Sequence, residues 1–158
     1  MADYDKIKEN ELSVLETFQE EIPSIYYSDK SEREFIEYKK NAEYMYRHLF
    51  KFPPQMFLGK NLIDFGAGTG ENTVYLANWG AKCTLIEMNE LAQKISKDIF
   101  KKYTKNYEEH RFILSSIFDY NSPETYETFD IVHCRGVLSH TADKEGAFSK
   151  ISKFLKPG

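Results

Sequence analysis

The chain has 158 residues, a formal net charge of −4 and an aromatic content of 15%. That length suits a single domain with its own core, the acidic balance argues against a nucleic-acid surface, which needs a basic patch, and the apolar runs are too short to span a bilayer. Cys83 and Cys134 both fall in predicted strands and read as buried thiols rather than a disulfide, and the first residues carry no signal pattern, so a cytoplasmic protein is expected.

Residues 1–57 hold most of the net negative charge and read as helical. Ile7, Leu12, Leu15, Phe18 and Ile22 form an approximate helical stripe that stops at Pro23. Ser31 and Glu34 have the spacing of a capping box, and Phe35, Tyr38, Ala42, Met45 and Leu49 follow at intervals of three and four before Pro53 and Pro54 end the run. Two amphipathic helices placed before any strand predict either a lid over the site or a plain cover for a sheet.

From Lys60 strand and helix alternate, the signature of a parallel sheet. The first strand is Asn61 to Phe65, followed by a helix from about Glu71 to Asn78 with Gly80 behind it. The second strand, Lys82 to Ile86, ends at Glu87. Asn89 then caps a helix with Ala92, Ile95, Ile99 and Tyr103 on one face. Arg111 to Leu114 and Phe129 to Cys134 are the third and fourth strands. A last helix, near Asp143 to Leu155, is expected to bury Ala147, Phe148, Ile151 and Phe154.

The chemistry is concentrated in Asp64-Phe65-Gly66-Ala67-Gly68-Thr69-Gly70-Glu71, where an apolar strand breaks at three alternate glycines and turns into a helix. Such a corner lets the backbone take positive φ and lets a ligand approach closely. A dinucleotide fingerprint would need Gly or Ala where Glu71 stands, and a P-loop would need Gly-Lys-Ser/Thr, so the loop suits an adenosine ligand without a diphosphate.

Asp64-x-Gly66-x-Gly68-x-Gly70 resembles the first motif of the class I S-adenosylmethionine-dependent methyltransferases, and later stretches resemble further motifs of that family: Phe129 to Val132, Gly136 to His140, and Phe154 to Gly158. The resemblance implies an α/β, Rossmann-like fold with strands in the order 3-2-1-4, helices on both faces, a helical lid over 1–57 and a cofactor-binding core over 58–158. The family's second half would follow Gly158, so the resemblance also implies a truncated chain, with strand four as an open edge prone to self-association.

The same resemblance implies S-adenosylmethionine as cofactor. Its site would draw on Asp64, Gly66, Ala67, Gly68, Gly70, Glu87, Met88, Ser116, Ile117 and Arg135. Glu87 would accept hydrogen bonds from the ribose hydroxyls. Met88 would pack on adenine, or only fill a gap. Asp64 would meet loop N–H groups or the ligand's ammonium, since a buried carboxylate needs a donor. Ser116 stands where the family usually has an acidic residue near the adenine amine, with Asp119 as a substitute. His140 is the candidate general base or positioning residue, and Tyr26 or Tyr27 would lie near the sulfonium. A metal site from His133, Cys134 and His140 lacks a known ligand spacing. His133-Cys134-Arg135-Gly136 replaces the run that marks adenine N-methyltransferases, which points to a small-molecule methyl acceptor. A non-catalytic binding module and, less favoured because of Glu71, a nicotinamide-dependent oxidoreductase remain as alternatives.

Overall fold

A computed structural model describes residues 3–20 and 31–158; the predicted helix stop at Pro23 and the tyrosines Tyr26 and Tyr27 lie outside them. Two N-terminal helices, α1 (Tyr4–Glu20) and α2 (Glu32–Met45), precede a four-stranded parallel sheet built from β1 (Asn61–Phe65), β2 (Lys82–Glu87), β3 (Arg111–Leu114) and β4 (Ile131–His133). Helices α3 (Val74–Asn78) and α4 (Glu90–Tyr103) connect β1 to β2 and β2 to β3, a short 3-10 turn at Pro123–Thr125 lies between β3 and β4, and α5 (Lys144–Ser152) follows β4. The strand order is β3-β2-β1-β4 with every pair parallel, as the alternation of strand and helix predicts.

The period of two in a strand divides the core. Leu62, Cys83 and Leu85 point to one face, where they pack with Phe35, Ala42, Val74, Leu76, Ile99 and Phe100 from α2, α3 and α4. Ile63, Phe65 and Ile86 point to the other, against Ala147, Ile151 and Phe154. The inner strands are buried along almost their whole length, which is why β1 and β2 read as continuous apolar runs rather than alternating ones. Both cysteines are free; Cys83 is buried and Cys134, one residue past β4, is half-buried.

Local chemistry sets the helix starts. The Ser31 backbone N–H donates to Glu34 at 2.8 Å while the Glu34 N–H donates to Ser31 Oγ at 3.3 Å, completing the capping box. Asn89 Oδ1 accepts the Ala92 N–H at 3.1 Å, and Asp143 Oδ1 accepts the Gly146 N–H at 2.8 Å.

Several burial expectations are corrected. Helix α2 passes into a single π-helical turn, Tyr46–Phe50, closed by Lys51 at φ 59°. Tyr46, four residues after Ala42 on the α-helical ladder, lies in the core, and beyond it the wider turn leaves Leu49 69% exposed. Helix α3 begins only at Val74, because residues 71–73 form turns. On α5 the buried residues are Ala147 and Ile151, while Phe148 faces solvent; Phe154 reaches the core after the helix has ended. Leu12 on α1 is likewise exposed.

Candidate active site

The parallel sheet brings the C-terminal ends of all four strands to one edge, where ligands bind in open α/β folds. Beyond β1 the chain turns through Gly66, Gly68 and Gly70 at φ +70°, +55° and +77°, a left-handed sequence that side-chain-bearing residues resist. The Gly66 and Ala67 N–H groups donate to the Ile86 carbonyl at 2.9 and 3.1 Å, so the loop stays pinned to β2. The three glycines serve different ends. A Cβ on Gly66 would strike the Val137 side chain at 2.4 Å, and one on Gly70 would strike Ser96 at 2.9 Å on α4. A Cβ on Gly68 would meet nothing within 4 Å.

Above this corner lies a cavity of about 340 Å³, within the range of roughly 300–1,000 Å³ usual for small-molecule sites. Of the predicted cofactor residues, Gly66, Ala67, Gly68, Glu87, Met88, Ser116, Ile117 and Arg135 line it together, and His140 lines it as well. Gly70 does not; its place is the contact with α4. Asp64 does not either.

Asp64 shares the parity of Leu62, so its side chain lies under the sheet face rather than at the strand tip. There, 2% exposed, it accepts a hydrogen bond from the Thr73 hydroxyl and pairs through Oδ1 with His133 Nδ1 at 2.8 Å. Its hydrogen-bond partners among the described residues are these two side chains. His133 Nε2 lies 3.4 Å from the Tyr46 hydroxyl, which bonds in turn to Tyr75. Burial works against the His133 imidazolium, but the Asp64 carboxylate outweighs it and holds the pKa above its ordinary value. Both ring nitrogens of His133 are thereby engaged with protein partners.

Glu87, 8% exposed, is fixed by the loops on either side. Its Oε2 accepts the Gly68 N–H at 2.7 Å and its Oε1 the Asn89 N–H at 2.8 Å. Burial pushes its pKa up, and those same N–H bonds oppose the shift. Each carboxylate oxygen has two acceptor sites, so the carboxylate can still accept from ligand hydroxyls. A carboxylate held this way, beside a glycine whose missing Cβ leaves open space, fits the ribose end of an adenosine.

Arg135 donates to Asn72 Oδ1 at 2.9 Å and, over 3.4 Å, to the Tyr75 hydroxyl, which holds it across the mouth of the glycine loop. Ser116 Oγ accepts the Asp119 N–H and donates to the Asp119 carboxylate, both at 3.1 Å. Asp119 itself is turned outward to Lys8 and Tyr4 of α1. Helix α1, expected as part of a lid or a cover, supplies one wall through residues not named as site residues: Asn10, Glu11, Val14, Leu15 and Phe18 line the cavity. The Phe18 ring meets His140 edge-on at 5.9 Å. The signal was the spacing of the α1 stripe, which marks a buried face without saying what the face covers.

Comparisons with known proteins agree with this geometry. A family model described as a methyltransferase domain matches residues 38–158. Ubiquinone biosynthesis O-methyltransferases from Thiobacillus denitrificans and Idiomarina loihiensis are 29% and 25% identical over 100 residues, covering 63% of this chain and 41% and 40% of theirs. The chain thus spans about two fifths of the length of these curated relatives. Magnesium protoporphyrin IX methyltransferase from Synechocystis, solved with bound S-adenosylmethionine, superposes with a TM-score of 0.68 at 15% identity, covering 92% of this chain and 72% of that one.

Proposed function

The chain belongs to the methyltransferase domain family, and from that premise we propose that its glycine corner binds S-adenosylmethionine and directs the methyl group to a small-molecule acceptor. The observation that carries this reading is the Glu87 carboxylate, oriented by two backbone N–H groups while it lines the cavity. The names of the curated relatives support a small-molecule acceptor.

The ligand supplies a methyl group on a sulfonium, a bond already activated toward displacement. The residues of the chain have to bind, align and exclude water. Glu87 takes the ribose hydroxyls, Met88 and Ile117 flank the base with Ser116 beside them, and Arg135 stands over the loop toward the ligand's carboxylate. The acceptor enters between Val137, His140 and α1. Phe18 fixes the His140 ring, which orients the acceptor and, when neutral, can take its proton. Alignment for in-line attack supplies most of the acceleration, on the order of 7–11 kcal/mol for well-oriented partners. Helix α1 is the lid in this reading: it closes the cavity from the side opposite the glycine loop. Helix α2, with Phe35 and Ala42 in the core, is the cover.

Calorimetric titration with S-adenosylmethionine and with NAD tests the proposal. Only the former should bind, and Glu87→Ala should weaken it by ~1.5–3 kcal/mol, the scale of hydrogen bonds to a charged group. Unchanged affinity would remove Glu87 from the ribose. A radiolabelled methyl assay then separates turnover from binding alone.

A further inference from the structure

Glu71 ends the glycine loop, lines the cavity and has no part in the steps above. It is 7% exposed, and its Oε1 has no hydrogen-bond partner among the described residues; the Thr69 hydroxyl gives the carboxyl one hydrogen bond. A buried polar atom left unpaired in a native site is unfavourable by roughly 1–3 kcal/mol and calls for a partner that arrives later. None of the groups around the cavity is placed to be that partner. Glu11 on α1 and Glu87 at the end of β2 are themselves carboxyls, and the Arg135 guanidinium reaches Asn72 and Tyr75 through Nη1 but makes no hydrogen bond to Glu71 Oε1. His140, the remaining titratable group of the lining, packs on Phe18. Burial pushes the Glu71 pKa up to about 8, so the ligand-free carboxyl is protonated at neutral pH.

Taking the corner as a site for S-adenosylmethionine, we propose that Glu71 receives the α-amino group of the ligand and gives up its proton to solvent as the ligand enters. The O–H bond of the carboxyl breaks, the proton leaves to buffer, and the carboxylate makes a charge-assisted hydrogen bond to the ammonium. The ligand keeps its own protons throughout.

The probe is S-adenosylhomocysteine, which carries the amino acid group but no sulfonium. Its binding heat should be measured at pH 7 in phosphate and in Tris, which differ in ionisation enthalpy. The heats should differ by the release of close to one proton, and affinity should rise about five- to tenfold from pH 6 to pH 7 as the carboxyl becomes easier to ionise. In Glu71→Gln binding should persist, weaker, with the buffer dependence and the pH slope gone. Binding with buffer-independent heat in the wild-type chain, or proton release that survives in Glu71→Gln, would overturn the proposal while leaving the cofactor site in place. Failure of the wild-type chain to bind S-adenosylhomocysteine or S-adenosylmethionine at any pH would overturn the cofactor site and this role with it.

Discussion

Asp64 is the residue whose replacement should be felt most in stability. It is 2% exposed and holds two buried partners, the fully buried Thr73 hydroxyl and His133 Nδ1 at 2.8 Å. Asp64→Ala leaves both donors without an acceptor and strands the imidazole among Tyr46, Tyr75 and the sheet. Removing one member of a buried ion pair destabilises by ~3–5 kcal/mol, a large part of the ~5–15 kcal/mol that holds a domain together. For a chain of this size that is a fall of roughly 6–20 °C in Tm. Asp64→Asn separates charge from hydrogen bonding, because it keeps one acceptor and removes the carboxylate's pull on His133.

The pH dependence of that difference has a definite sign. The His133 pKa is raised in the folded chain, so the ion pair contributes fully below the unfolded value of about 6.5 and fades as pH climbs through the folded value. The gap between wild type and Asp64→Asn should therefore be widest near pH 6 and narrow toward pH 9. Urea unfolding followed by circular dichroism at several pH values measures it. A loss below about 1 kcal/mol for Asp64→Ala, or a gap that widens with pH, would refute the argument.

Two further expectations follow from the site. Gly68→Val should abolish S-adenosylmethionine binding by calorimetry and leave the circular dichroism spectrum native-like, because the added side chain strikes no protein atom nearby but opposes the positive φ and projects toward the cavity. Lys8→Ala removes the ion pair that ties α1 to Asp119, a partly exposed contact worth at most ~1 kcal/mol. Hydrogen exchange over residues 4–18 should speed up in that variant, and in the wild-type chain it should slow when S-adenosylhomocysteine is added. Equal exchange in all three samples would make α1 a fixed cover.

Much of the fold was legible because its determinants are local. The capping box at Ser31, the Asn89 cap, the apolar runs of β1 and β2 and the three glycines each act within a few residues of themselves. Glu87 was legible for the same reason, since a strand of fixed length delivers it. What was not legible depends on distant partners. Asp64 could be placed in the glycine motif, yet its orientation follows from strand parity and from a histidine 69 positions away. The π turn at Tyr46–Phe50 takes Leu49 off the buried face through a change of helical phase that no spacing rule anticipates. Phe148 and Phe154 have similar apolar character, and only the end of α5 at Ser152 decides which of them turns inward. The α1 wall was seen as a stripe, but the residue that anchors it, Asp119, lies 111 positions from Lys8.

That separation has a kinetic side. Helix α1 is an early part of the chain to be synthesised, yet its anchors, Asp119 and His140, both belong to the last quarter of the chain. It has nothing to dock against until the parallel sheet has closed, and closing so long a loop is a slow, entropically opposed step. The cavity is therefore completed after the fold that supports it. In reverse, detachment of α1 would break a partly exposed ion pair, an edge-on ring contact and the burial of Ile7 while β1 to β4 stay paired. If the lid reading holds, ligand entry and release would reverse this last folding step while the sheet stays paired.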